Sequence, residues 1–153
     1  MSIGGQLPGK FRSQSGRSSG NECGATFVKL HRRELSMIVL NVSSQKPFTT
    51  KDGSRIRSIL DHTNAPVLNQ SLAEATIPAG GSTERHYHKQ SEEFYFLIEG
   101  EGTMEIDGET RSVTSGDAIL IPPGAWHQIT ASSSLRFLCC CAPPYSHEDT
   151  YFS

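Results

Sequence analysis

At 153 residues, of which 35% are hydrophobic, the chain suits one domain; it holds no run of 18 apolar residues, so no membrane-spanning helix is expected. Its 14 basic and 16 acidic residues are divided unevenly: residues 1–36 carry six basic and two acidic side chains (net +4), and the remainder eight and fourteen (net −6). An acidic globular part argues against nucleic acid as a partner, because neutralising phosphates needs a basic face.

Residues 1–36 are rich in glycine and serine, among them Gly4, Gly5, Ser18, Ser19 and Gly20. Such a segment buries too little apolar surface to offset its ordering entropy. It is expected to be a disordered N-terminal extension, with at most a short helix over 26–35. It is Ser- and Arg-rich like a transit peptide but lacks an amphipathic helix, so a solvated tail is the simpler reading. Met37 opens a different composition and reads as an alternative start; 37–153 is taken as the folded domain.

From there the signals are almost all strand. Residues 37–42 read as a short apolar strand, Lys51-Asp52-Gly53 as a turn, and 55–60 as a strand or one helical turn. Strands follow at 71–78 and 85–88, then an aromatic-rich one at 93–99 that ends at Gly100. Residues 103–106 and 110–113 flank Asp107-Gly108, a two-residue hairpin signal. An apolar strand at 118–121 stops at Pro122-Pro123-Gly124, and 126–130 with 135–141 are expected to form the last pair. Short strands broken by Gly and Pro predict an all-β sandwich or barrel. The triplet Cys139-Cys140-Cys141 alternates faces and reads as packing. With Cys23 it makes four cysteines and no CxxC pair, so a reducing cytoplasm is the expected location. The segment 142–153, stiffened by Pro143 and Pro144, is expected to cover a sheet edge, cap the barrel mouth or dock on a second subunit.

Three histidines and a glutamate lie within this strand series. His86 and His88 point to one face of a strand, about 7 Å apart, and Tyr87 to the other. Glu93 supplies a carboxylate from the next strand, with Tyr95 and Leu97 on the same inward face and Glu92 outside. His127 closes the set behind the Pro122-Pro123-Gly124 turn. Three neutral imidazoles and one carboxylate suit one divalent ion: iron, manganese, nickel or zinc. No cysteine is near in motif terms, as a closed structural zinc site would require, and octahedral coordination leaves two positions for water, oxygen or substrate. Tyr95 is a candidate catalytic residue, as hydrogen-bond donor or acid toward a bound substrate. Gln90, Gln128 and Glu74 are candidate partners for the outer ring nitrogens. Arg57, Arg85 and Arg136 are candidates for an anionic substrate, with surface solvation as the default. Trp126 is expected on the outer face, and His147 near the metal only if the tail folds over the mouth.

These residues carry a resemblance to the cupin superfamily. The motif G-x5-H-x-H-x4-E-x6-G matches Gly80, His86, His88, Glu93 and Gly100. The motif G-x5-P-x-G-x2-H-x3-N matches Gly116, Pro122, Gly124 and His127, with Ala131 where the motif has asparagine. The resemblance implies a double-stranded β-helix, a jelly-roll barrel of six to eight strands with the metal inside, paired as a homodimer. It implies a metal-dependent enzyme acting on a small polar molecule, of dioxygenase, oxidoreductase or isomerase type. The competing readings are a metal-containing module that captures a sugar or an organic acid such as oxalate without turnover, and a purely structural barrel. A sugar-phosphate isomerase would need a phosphate-binding cluster, and Arg57, Arg85 and Lys89 are scattered.

Overall fold

The computed structural model describes residues 36–153. The disorder expected of the N-terminal extension and the helix over 26–35 concern residues outside those described. The strands are β1 (Phe48–Thr49), β2 (Arg55–Leu60), β3 (Ser71–Ile77), β4 (His86–His88), β5 (Glu92–Glu99), β6 (Glu101–Ile106), β7 (Glu109–Thr114), β8 (Ala118–Ile121), β9 (His127–Ala131), β10 (Leu135–Ala142) and β11 (Thr150–Phe152). They form two antiparallel sheets, in the orders β1-β2-β3-β10-β5-β8 and β11-β4-β9-β6-β7. Strands distant in sequence, such as β3 and β10 or β4 and β11, are neighbours, and the chain winds as a double-stranded β-helix. This is the predicted all-β fold. The described residues form eleven strands rather than six to eight; two short ones, β1 and β11, border the sheets.

Alternation along the strands builds the core and aims the candidate residues. On β5, Glu93, Tyr95 and Leu97 are buried while Glu92, Phe94 and Phe96 are exposed. Ile77, Met104, Ile129, Leu135 and Phe137 join Tyr95 and Leu97 in the core cluster. A slip of one residue would turn Glu93 to solvent, so burial of Leu97 also fixes the orientation of the carboxylate. Asp107 and Gly108 have φ of 48° and 88°, the positive pair that a two-residue type I′ turn requires between β6 and β7. Gly100, with φ 85°, lets β5 bend into β6; a Cβ there would overlap the carbonyl oxygen of Ser134.

Two expected elements are corrected. Residues 37–42 are not a strand: Met37 and Val39 are 90% and 78% exposed, and the chain enters a 3-10 turn, Val42–Ser44, capped by Asn41. An apolar run becomes a strand only where a sheet edge pairs with it. Strands 126–130 and 135–141 do not pair: β9 lies between β4 and β6, and β10 between β3 and β5 in the other sheet. Residues 55–60 are strand β2. The tail covers an edge, with β11 on β4 in the register Thr150↔His88. Asp149 anchors it by accepting the backbone N–H groups of Gln90 and Ser91, each at 3.0 Å.

Candidate metal centre

His86 and His88 project from β4, and His127 from β9 directly opposite His86; Glu93 reaches in from β5 in the other sheet. One ligand atom from each of the four lies within 4.8 Å of the others, and all four residues are buried. Glu93 Oε2 is 3.2 Å from His88 Nε2 and 3.5 Å from His127 Nε2. Yet Glu93 Oε2 and His127 Nε2 are buried with no hydrogen-bond partner. Leaving such atoms unsatisfied is costly, and a cation between them satisfies both. The group can therefore hold a metal ion.

The outer ring nitrogens decide which lone pairs face inward. His86 Nδ1–H donates to the carbonyl of Glu84 at 2.8 Å, and His127 Nδ1–H to that of Ala125 at 3.0 Å. A carbonyl only accepts, so both Nδ1 atoms carry the proton and both Nε2 atoms are free to bind. The Thr150 hydroxyl donates to the Ser146 carbonyl at 3.0 Å, which leaves its oxygen to accept from His88 Nδ1 at 3.3 Å. None of the side chains expected in this role takes it. Gln128 donates to the Thr83 carbonyl at 2.6 Å, Glu74 pairs with Arg57 and Arg136, and Gln90 is exposed. The true acceptors were missed because backbone carbonyls carry no residue signature, although both sit two residues before their histidine.

Cys141 corrects the expectation that no cysteine is near. It lies across from Glu93 in the β10–β5 register, and its Sγ–H donates to Glu93 Oε1 at 3.4 Å. Burial and then the charge of Glu93 push the Cys141 thiol up, so it keeps the proton it donates.

Burial pushes the Glu93 carboxyl up, but His127 and His88 outweigh it and hold the group well below the usual carboxylate range. Burial, then the neighbouring His127, pulls His86 down. Burial pulls on His88 as well, but its contact with Glu93 reverses the sign and leaves it raised. Without metal, His88 is thus the last of this pair to lose its proton, and a cation must displace that proton. Apparent zinc affinity should rise with pH through the imidazole range, about 6 to 8, and fall below it. Calorimetry in buffers of different ionisation enthalpy should register the released proton; an affinity flat across that range contradicts this ligand set.

Tyr95 lines the same cavity as His86, His88 and Glu93, a space of about 80 Å³. Its ring packs on Phe137 at 4.6 Å, and burial followed by the Glu93 charge pushes its hydroxyl well above the usual phenol value. The arginines proposed for an anionic substrate do not line this cavity. Arg57 pairs with Glu74 at 3.1 Å, Arg136 with Glu74 and Glu99 at 3.2 Å, and Arg85 with Glu105 at 3.0 Å. Trp126 carries the Arg85 guanidinium over its ring and meets Tyr87 edge-on, on the outer face, as its phase requires. The tail contributes a residue the sequence did not single out: Tyr145 lines the cavity, meets the His88 ring at 5.8 Å and bonds to the exposed His147 at 3.0 Å.

Comparison with known proteins agrees with this geometry. The family model described as "Cupin domain" matches residues 73–141, the span from β3 to β10 that carries all four candidate ligands. The chain is 49% identical over 107 residues to the uncharacterized protein MJ1618 of Methanocaldococcus jannaschii, covering 69% of this chain and 86% of that protein. It is 28% identical over 90 residues to the polyketide synthase CurC of Streptomyces cyaneus, covering 59% of this chain and only 58% of CurC. The structure of the polyketide cyclase RemF from Streptomyces resistomycificus superposes with a TM-score of 0.62 at 25% identity, over 74% of this chain and 89% of RemF. With both motifs in register, the four candidate ligands inside a double-stranded β-helix and these relatives, the chain belongs to the cupin family.

Proposed function

We propose that the protein is a metal-dependent enzyme in which His86, His88, Glu93 and His127 hold one divalent cation beside a cavity for a small molecule. The observation that carries this reading is the pair of buried atoms, Glu93 Oε2 and His127 Nε2, that no protein group satisfies. A bound divalent ion supplies Lewis acidity toward a substrate oxygen. The chain's own residues do the rest. Tyr95, held protonated by burial and by Glu93, donates a hydrogen bond or a proton to the substrate. Phe137 and Phe152 line the cavity and exclude water from it.

Acid–base chemistry, of isomerase, cyclase or lyase type, is the favoured class. Two thiols, Cys139 and Cys141, line the cavity and are held protonated by burial. The names of CurC and RemF, a polyketide synthase and a polyketide cyclase, support the same class. The donor set also suits iron or manganese, which favours a dioxygenase or oxidoreductase as the second reading. Metal-loaded protein should convert a phenolic or keto substrate without consuming oxygen. Tyr95→Phe should lower kcat by about 10²–10⁴ with metal content unchanged. Stoichiometric oxygen uptake would move the protein to the second reading, and tight binding without turnover would make it a capture module. Phe94, Phe96 and Leu120, 42%, 41% and 58% exposed on the outer face of β5 and β8, support pairing of two copies; a monomer in sedimentation equilibrium would remove that element.

A further inference from the structure

We infer that the cavity selects a neutral or cationic small molecule and rejects anions, with the metal as its one positive pole and Asp52 facing the far end of the ligand. The inference rests on the metal centre proposed above. The cavity is lined by His86, His88 and Glu93, by Tyr95, and by two further carboxylates, Asp52 and Asp61. Among the described residues lining it there is no lysine or arginine. Strand phase explains the exclusion. Ile56 and Ser58 of β2 line the cavity, so alternation sends Arg57 outward to Glu74. Arg85, one residue before His86, likewise faces outward to Glu105.

Asp52 is preorganised as an acceptor. Its Oδ1 takes the Ser54 N–H at 3.2 Å, the Ser54 hydroxyl at 2.8 Å and the Thr50 hydroxyl. Its Oδ2 receives only a second, 3.1 Å approach of the Ser54 hydroxyl and retains acceptor capacity. The Asp52 charge also bears on His86, Tyr95 and Tyr145, which set it within electrostatic reach of the centre. The walls also include Phe48, Ile56, Phe137 and Phe152. The orphaned Glu93 Oε2 marks the place of the metal. A divalent ion set against Glu93, Asp52 and Asp61 leaves one negative charge over. A cationic ligand balances it and a neutral donor tolerates it. A carboxylate at the far end would lose its water and find no cation there.

The test uses zinc-loaded full-length protein and three hydroxamic acids that share a metal-binding head and differ at the far end: butyl, aminobutyl and carboxybutyl. Zinc alone is titrated first. The amine and the alkyl probe should bind at least about tenfold more tightly than the carboxylate. Asp52→Asn should narrow the amine-to-carboxylate ratio. A carboxylate probe that binds as tightly as the amine overturns the inference and leaves the metal centre standing. A wild-type protein that takes up no zinc in the first titration overturns both. A folded Asp52→Asn variant with an unchanged ratio overturns the role of Asp52. The three-probe comparison on the wild type decides the charge preference even if that variant does not fold.

Discussion

Replacing His127 with alanine should strip the metal from the protein and leave the barrel folded. Loss of a mere hydrogen-bond partner behind a ligand weakens metal binding by about 10–100-fold, so loss of the ligand itself should exceed about 100-fold. His127 is fully buried, its Nδ1 is tied to the Ala125 carbonyl, and its Nε2 has no protein partner. The ring is thus fixed with a free inward nitrogen, which a metal ion could take. The barrel should persist because β9 keeps its pairing with β6 over Gly102–Ile106 and its core residue Ile129. Competition with a chelator measures the affinity, and circular dichroism checks the fold. Unchanged zinc affinity in a folded His127→Ala protein would remove β9 from the site.

Phe137→Ala should destabilise the fold by about 3–5 kcal/mol, the largest stability effect expected of a single truncation here. Phe137 is 1% exposed on β10, between Ala75 of β3 and Leu97 of β5, and its ring packs on Tyr95. Removing it takes away apolar contacts from both neighbouring strands, and the paired sheet cannot collapse to fill the space. Urea denaturation with an unchanged m-value would report it. A loss below about 1 kcal/mol, the usual effect of a surface change or less, would mean that the sheets do not pack around β10.

The four-residue group that could hold a metal ion was legible because it is written in local terms. The two-residue spacing of His86 and His88 fixes a shared face, and the phase of β5 selects Glu93 over Glu92. The Asp107-Gly108 hairpin was legible for the same reason, since the turn's φ values restrict its residues. What was not legible depends on pairing between distant strands. Chain neighbours are often sheet neighbours, and β9 with β10 is an exception because residues 132–134 carry the chain from one sheet to the other. The approach of Cys141 to Glu93 follows from the β10–β5 register and is invisible until that register is known. Residues 37–42 have strand composition but no partner edge, and composition alone does not supply one. Tyr145 and Thr150 reach the site because β11 folds back on β4, a long-range docking that no periodicity encodes.

The most direct measurement is X-ray absorption at the zinc edge of the loaded protein, compared with His127→Ala and Glu93→Gln. Nitrogen and oxygen neighbours at about 2.0–2.2 Å, with outer-shell scattering from three imidazoles that drops to two in His127→Ala, are predicted. A spectrum with no imidazole signature, or one that neither substitution alters, would contradict a metal centre built from these four side chains.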